Sequence, residues 1–212
     1  MKYRSIIFSS EMVRAILEKR KTQTRRVLML PRWSTGLWEH FELEDGADEN
    51  IPMTICQNTG CLAQIQCPYG KPGDRMWVKE TWGIDPNDWF PNPSPWDINF
   101  MLNKIQYKAD WGNEPYHWGW HPSIFMPRWA SRLTLEIVNI SLEHLQDISE
   151  EDAVAEGCHH NIGLVPAPME PPEYDGISAR QDYRELWDFL NAKRGHPWEA
   201  NDWIWRIEFK VI

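Results

Sequence analysis

Lys21, Thr24 and Glu156 are residues whose types could together perform an acyl transfer. A threonine hydroxyl attacks a carbonyl only when a neighbour takes its proton, and a lysine takes it only as the neutral amine. An ordinary lysine, with a pKa of about 10.4, is neutral at pH 7 in well under about one molecule per thousand. Bringing it to about 7 costs roughly 4–5 kcal/mol, which burial and the like charges of Arg20, Arg25 and Arg26 could supply. A carboxylate in contact works the other way. With Glu156 beside it, Lys21 would stay charged and stabilise an oxyanion while the carboxylate carries the proton. A lysine and a threonine three apart are commonplace, so spacing alone leaves this constellation open.

Two further sets compete with it. Cys56, Cys61 and Cys67, taken with Cys158, His159 and His160, offer zinc-type ligands, yet structural zinc favours cysteine pairs two to four residues apart and only one spacing fits. Loop thiols without metal are the plainer reading, and no metal or cofactor is expected. Trp77, Trp82, Trp111, Trp118, Trp120 and Trp129 could stack on a nucleobase or hold their own loops together. The expectation is one or two against a ligand and the rest in the core.

The chain of 212 residues, 42% of them hydrophobic, with 12 Gly and 16 Pro, is neither collagen-like nor wholly disordered. It reads as one domain over 1–212, with loop insertions at about 31–75, 85–129 and 158–178. Charge is uneven: the first 33 residues carry nine Lys/Arg against two Glu, a local +7, leaving −16 elsewhere within a net charge of −9. Such a balance opposes general polyanion binding but allows a small nucleobase or phosphate ligand at one basic site. A solvated cationic helix face is the alternative. No apolar run approaches the ~18 residues of a membrane helix and residues 1–12 lack a signal's apolar core, so a cytoplasmic location without membrane contact is expected.

The elements that must position these groups follow from periodicity. Residues 5–8 read as a strand, then Ser9 or Ser10 caps a helix with Val13, Ile16 and Leu17 on one face, ending near Arg20. Residues 21–26, polar between two apolar segments, form a turn or strand entry. Arg75 to Trp82 alternates, with Met76, Val78, Glu80 and Trp82 on one face; neither face is purely apolar, which suggests that one lines a cleft. Residues 85–99 read as a proline-punctuated loop, and 104–109 and 132–140 as strands, the latter facing Leu133, Leu135, Ile137 and Asn139 inward. Ser149 to Asp152 has capping-box spacing for a short acidic helix that stops at Gly157. Residues 179–193 form an amphipathic helix with Tyr183, Leu186, Trp187 and Leu190 as its stripe, and 203–212 a closing strand. Many short strands with two or three helices give an α+β fold, read as a small barrel with flanking helices.

Residues 21–26 (KTQTRR), 67–82 (CPYGKPGDRMWVKETW), 126–137 (MPRWASRLTLEI), 145–157 (LQDISEEDAVAEG) and the C-terminal WIWRIEF closely resemble phage and prophage proteins of the ASCH superfamily. That resemblance implies a PUA-like β-barrel with a helix-lined cleft, the long Trp-rich loops being insertions. Residues 20–26 are also similar to the basic turn of the bacterial acetylcytidine amidohydrolases, which implies catalytic roles for Lys21 and Thr24 and, through the short acidic helix, for Glu156. The implied reaction removes an acyl group from the exocyclic amine of a cytidine-type nucleoside. Arg26 would position Glu156 or the ligand, Trp82 or Trp129 would stack on the base, and Phe8 and Glu80 would complete the substrate-binding set. The rival readings are a non-catalytic RNA or modified-nucleic-acid binder, or a ribonuclease, using the same basic cleft, and a phage assembly protein whose aromatic loops bind a partner.

Overall fold

A computed structural model describes residues 1–29, 53–55, 62–90, 94–111, 115–117, 119–158 and 178–212. The elements in chain order are β1 (Tyr3–Ile7), α1 (Ser10–Leu17), β2 (Gln23–Val27), β3 (Met53–Ile55), β4 (Leu62–Gln64), β5 (Arg75–Lys79), β6 (Trp82–Gly83), α2 (Pro95–Leu102), β7 (Gln106–Tyr107), α3 (Lys108–Trp111), β8 (Thr134–His144), α4 (Glu150–Ala155), α5 (Ala179–Asn191) and β9 (Trp203–Val211). The fold is α+β. A mixed five-stranded sheet runs β1-β5-β8-β9-β2, with β1 and β5 parallel and the other neighbours antiparallel. Two-stranded ribbons β3-β4 and β6-β7 stand apart from it.

The expected closed barrel is not formed. The sheet's two edges, β1 and β2, are joined through α1 and share no ladder. The apolar stripe of α1, Val13 and Ile16, instead fills the gap and packs in one core with Ile6, Phe8, Ile207 and Phe209. Across the seam Arg26 Nη2 donates to the Ile7 carbonyl at 2.8 Å. The opposite side of β2 and β9 is covered by α4 and α5, whose Ala153, Tyr183 and Trp187 pack with Ile204 in a second cluster.

Local chemistry explains where the elements stop and start. Ser9 caps α1 by accepting from the Met12 amide, and the helix ends at Leu17, earlier than its periodicity suggests, with Lys19 taking φ of 61°. Residues 85–99 are not all loop. Ser94 and Asp97 form a reciprocal capping box and Pro95 sits in the first turn, so that proline starts α2. At residues 106–111 the expected strand shortens to β7 and continues as α3. In β8 the register skips a residue between Ile137 and Asn139. This bulge turns Val138 outward and brings Ile140, rather than Asn139, onto the core face. No helix among the described residues is long and apolar enough to cross a membrane.

Candidate active site

The site grows from the turn between α1 and β2. Past Leu17 the chain folds back so that the amides of Arg20 and Lys21 both donate to the Ala15 carbonyl, at 2.8 and 3.0 Å. The Thr22 amide donates to the Ala155 carbonyl at the end of α4, and the Thr22 carbonyl accepts from the Phe209 amide, each at 2.8 Å. Lys21 is thereby clamped between α1, α4 and β9. Gly157 permits this approach. Its φ is 92°, and a Cβ there would lie 3.1 Å from Ala15 Cβ and 3.3 Å from Lys21 Cβ.

Lys21 Nζ donates to the Glu156 backbone carbonyl at 2.8 Å and to Glu156 Oε2 at 2.5 Å. Glu156 is the C-cap residue of α4, where the helix's exposed carbonyls favour a cation. The two side chains are 0% and 3% exposed, so 135 residues of chain are closed around a buried ion pair. Burial holds Lys21 below its ordinary pKa; the Glu156 carboxylate opposes this without cancelling it, and Arg26 adds to the lowering.

The other Glu156 oxygen is held by Arg25, which the sequence did not single out for a role. Its side chain is fully buried and binds three carboxylates: Nε to Glu143 Oε1 at 2.6 Å, Nη2 to Asp152 Oδ2 at 3.0 Å and Nη1 to Glu156 Oε1 at 3.3 Å. Burial alone would lower its pKa, but Glu156, Tyr183, Glu143 and Asp152 together raise it, so the guanidinium stays charged. Gln23 extends the network, its Nε2 donating to Asp152 and its Oε1 accepting from Arg206. A groove of about 330 Å³ outside α4, lined in part by Gln23, Asp152 and Arg206, meets the solvent side of this network.

Strand alternation sends the neighbours of Arg25 the other way. Thr24 opposes Ile207 of the main core, and Arg25 opposes Arg206 on the α4 side. Thr24 is buried. Arg26 shares the Thr24 face. Its guanidinium sits 5.3 Å from the Phe8 ring centroid, and Lys21 Nζ lies 5.7 Å from the same ring. Phe8 is thus a shared wall for Lys21 and Arg26.

No family model, curated protein or solved structure matches the chain.

The remaining expected residues sit elsewhere. Glu80 is buried in a bidentate pair with Arg132, at 2.9 and 3.0 Å; burial raises its pKa against that contact. Trp82 and Trp129 belong to a third cluster with Ile84, Met101 and Met126. Trp89 lies between them, with ring centroids 5.5 Å from Trp82 and 6.0 Å from Trp129. Their described ring contacts are with one another and with His121. Burial pushes the Cys67 thiol up and that of Cys158 to about 12, so neither is a thiolate near neutral pH. Cys56, Cys61, His159 and His160 lie outside the described residues, as does Trp118. Among the described residues no group of three His, Cys, Asp or Glu could hold a metal.

Arg25 was hidden from the sequence by a parity problem. Arg25 and Arg26 are adjacent basic residues, and only the strand register decides which of them meets the acidic helix.

Proposed function

We propose that this protein is an amidohydrolase of the ASCH type, with a PUA-like core, that removes an acyl group from the exocyclic amine of a cytidine-type nucleoside in the cytoplasm. The observation that supports it is a fully buried lysine bonded to a carboxylate from a distant helix, one strand entry away from a buried threonine. A neutral amine has two N–H groups and one lone pair. Glu156 accepts from both N–H positions, through its carbonyl and Oε2, which leaves the lone pair for a third partner.

Because burial lowers the Lys21 pKa despite the Glu156 contact, the reacting form in this reading is the neutral-amine fraction of Lys21 rather than a permanently charged lysine. Thr24 Oγ attacks the acyl carbon as its proton passes to the lone pair of Lys21. A C–O bond forms and the carbonyl π pair moves onto oxygen. The ammonium now carries its charge beside the Glu156 carboxylate, whose other oxygen Arg25 holds. Collapse of the tetrahedral intermediate breaks the C–N bond, and Lys21 returns the proton to the departing exocyclic amine. Water, deprotonated by the same lysine, then cleaves the threonyl ester to release the carboxylic acid. The arrangement parallels hydroxyl–base–carboxylate triads, with lysine as base. Arg26 and Phe8, on the Thr24 face, supply a cation and an apolar wall for the nucleoside.

The test is release of acetate from N4-acetylcytidine. Wild-type protein turns the substrate over, Thr24→Val and Lys21→Met do not, and Thr24→Ser retains part of the rate while all three keep a cooperative thermal transition. Full activity in folded Thr24→Val overturns the reading.

A further inference from the structure

The helix α2 is built inside out. Of its residues only Met101 is buried, seated in the cluster with Trp82, Ile84 and Met126. A surface helix ordinarily turns its large apolar side chains to the core. Here Trp96 and Phe100, four residues apart and so on one face, are 84% and 46% exposed. The Phe90 ring, 39% exposed, meets Phe100 edge-on with 6.3 Å between centroids and extends that face. Single exposed apolar side chains are ordinary, whereas aromatics gathered on one face mark an interaction surface.

The charge around this face has mainly one sign. From Ile84 to Ile105 the chain carries three aspartates, Asp85, Asp88 and Asp97, against Lys104 alone. Lys104 lies over Phe100, 5.5 Å from its centroid, and stands 3.7 Å from Asp88, which joins the carboxylate edge to the aromatic face. Asp85 and Asp88 share a neighbour in Tyr116, whose pKa burial raises and their two charges raise further. Asp85 accepts from Asn87 through Oδ1 and Asp97 accepts from Ser94 through Oδ2; a carboxylate offers two oxygens, so both can still take a cation. Such a rim discriminates among occupants. A second copy docked face to face would set aspartates against aspartates, and an anionic bilayer would be repelled. A cationic helix with an apolar stripe complements both the rings and the rim.

We propose that the Trp96–Phe100 face of α2 docks a cationic amphipathic helix of a protein partner. Its apolar side chains at i, i+3, i+4 and i+7 pack against Trp96, Phe100 and Phe90, and its Lys or Arg residues meet Asp85, Asp88 and Asp97. Residues four apart form a ridge that fits between the side-chain rows of a second helix. Aromatic anchors at the centre with charge at the rim is the distribution that concentrates binding energy. The face includes no residue of the Lys21 site.

The test is fluorescence anisotropy with a labelled peptide of about fourteen residues, Leu at helical spacing and Lys elsewhere. It should bind saturably, one per chain. Trp96→Ser combined with Phe100→Ser should weaken binding at least about tenfold while the thermal transition is kept, since both side chains are exposed. Asp85→Asn combined with Asp88→Asn, whose amide oxygens still accept, should weaken it about fivefold. A peptide of the same composition with its Leu residues scattered round the helix should bind at least about tenfold more weakly. The proposal is overturned by equal binding of the scattered peptide or of a Leu/Glu counterpart, or by unchanged affinity in the folded Trp96, Phe100 double variant. Co-sedimentation with phosphatidylcholine vesicles that Trp96→Ser abolishes would assign the face to lipid and overturn it, as would concentration-dependent dimerisation lost in Trp96→Ser, which would assign the face to a second copy.

Discussion

The lowered pKa of Lys21 makes folding stability depend on pH with a definite sign. An unfolded lysine titrates at 10.5, whereas burial lowers the folded value and Glu156 only partly restores it. Between the two values the unfolded state binds more protons than the native state, so stability rises with pH across that window. The ceiling is about 1.4 kcal/mol per pH unit for one group. For a chain of 212 residues that corresponds to a rise in melting temperature of about 3–6 °C per unit. Lys21→Met keeps the volume, removes the titration and leaves Glu156 with Arg25 as its cationic partner. The assay is urea unfolding of both proteins as pH is raised towards 10.5, the upper end of that window; ionisation of Tyr183, whose burial raises its pKa, is common to both proteins and cancels in the difference. Wild type should gain stability relative to Lys21→Met as pH rises. Parallel stability curves, or a relative loss, would refute the claim that burial outweighs the Glu156 contact.

Other outcomes follow from the same contacts. Arg25→Met strips Glu143, Asp152 and Glu156 of a shared buried cation and should cost about 3–5 kcal/mol in denaturant unfolding, with Arg25→Lys recovering only part of it. Gly157→Ala combines a φ of 92° with a 3.1 Å clash against Ala15; it should lower stability by about 1–3 kcal/mol and acetate release more than tenfold. Trp129→Ala should cost about 3–5 kcal/mol while the rate per folded molecule stays within about twofold, since its described contacts are to the Trp89 stack. Cys158, with its thiol pushed to about 12, should resist iodoacetamide at pH 8 in the folded protein and react once it is unfolded.

Much of the fold could be read from local chemistry. Ser9 and Ser149 each mark a helix that starts where expected, and the alternation of Met76 and Val78 marks a strand that starts at Arg75 but stops at Lys79, short of the expected Trp82, which begins the separate ribbon β6. The departures have local causes as well. Pro95 reads as a breaker until its place in the first turn behind Ser94 makes it a helix start. Asn139 loses its expected inward position to a one-residue bulge, because a single extra residue reverses side-chain parity for the rest of a strand. Closure of the sheet depends on whether β1 meets β2 edge to edge, a long-range matter that the sequences of the two strands leave open and that α1 settles by occupying the gap.

The candidate site divides along the same line. Lys21 and Glu156 meet, and Phe8 and Arg26 line the neighbouring face. Glu80, Trp82 and Trp129 find partners in Arg132 and in their own aromatic stack. Spacing could single out residue types capable of chemistry, but which cation reaches which carboxylate depended on strand register.

The most direct measurement is peptide mass spectrometry on protein quenched during turnover of N4-acetylcytidine. The account predicts an acetyl ester on the peptide bearing Thr24, present in wild type and absent in Thr24→Val. Steady acetate release with no acyl group on Thr24, and with Thr24→Val still active, would contradict it.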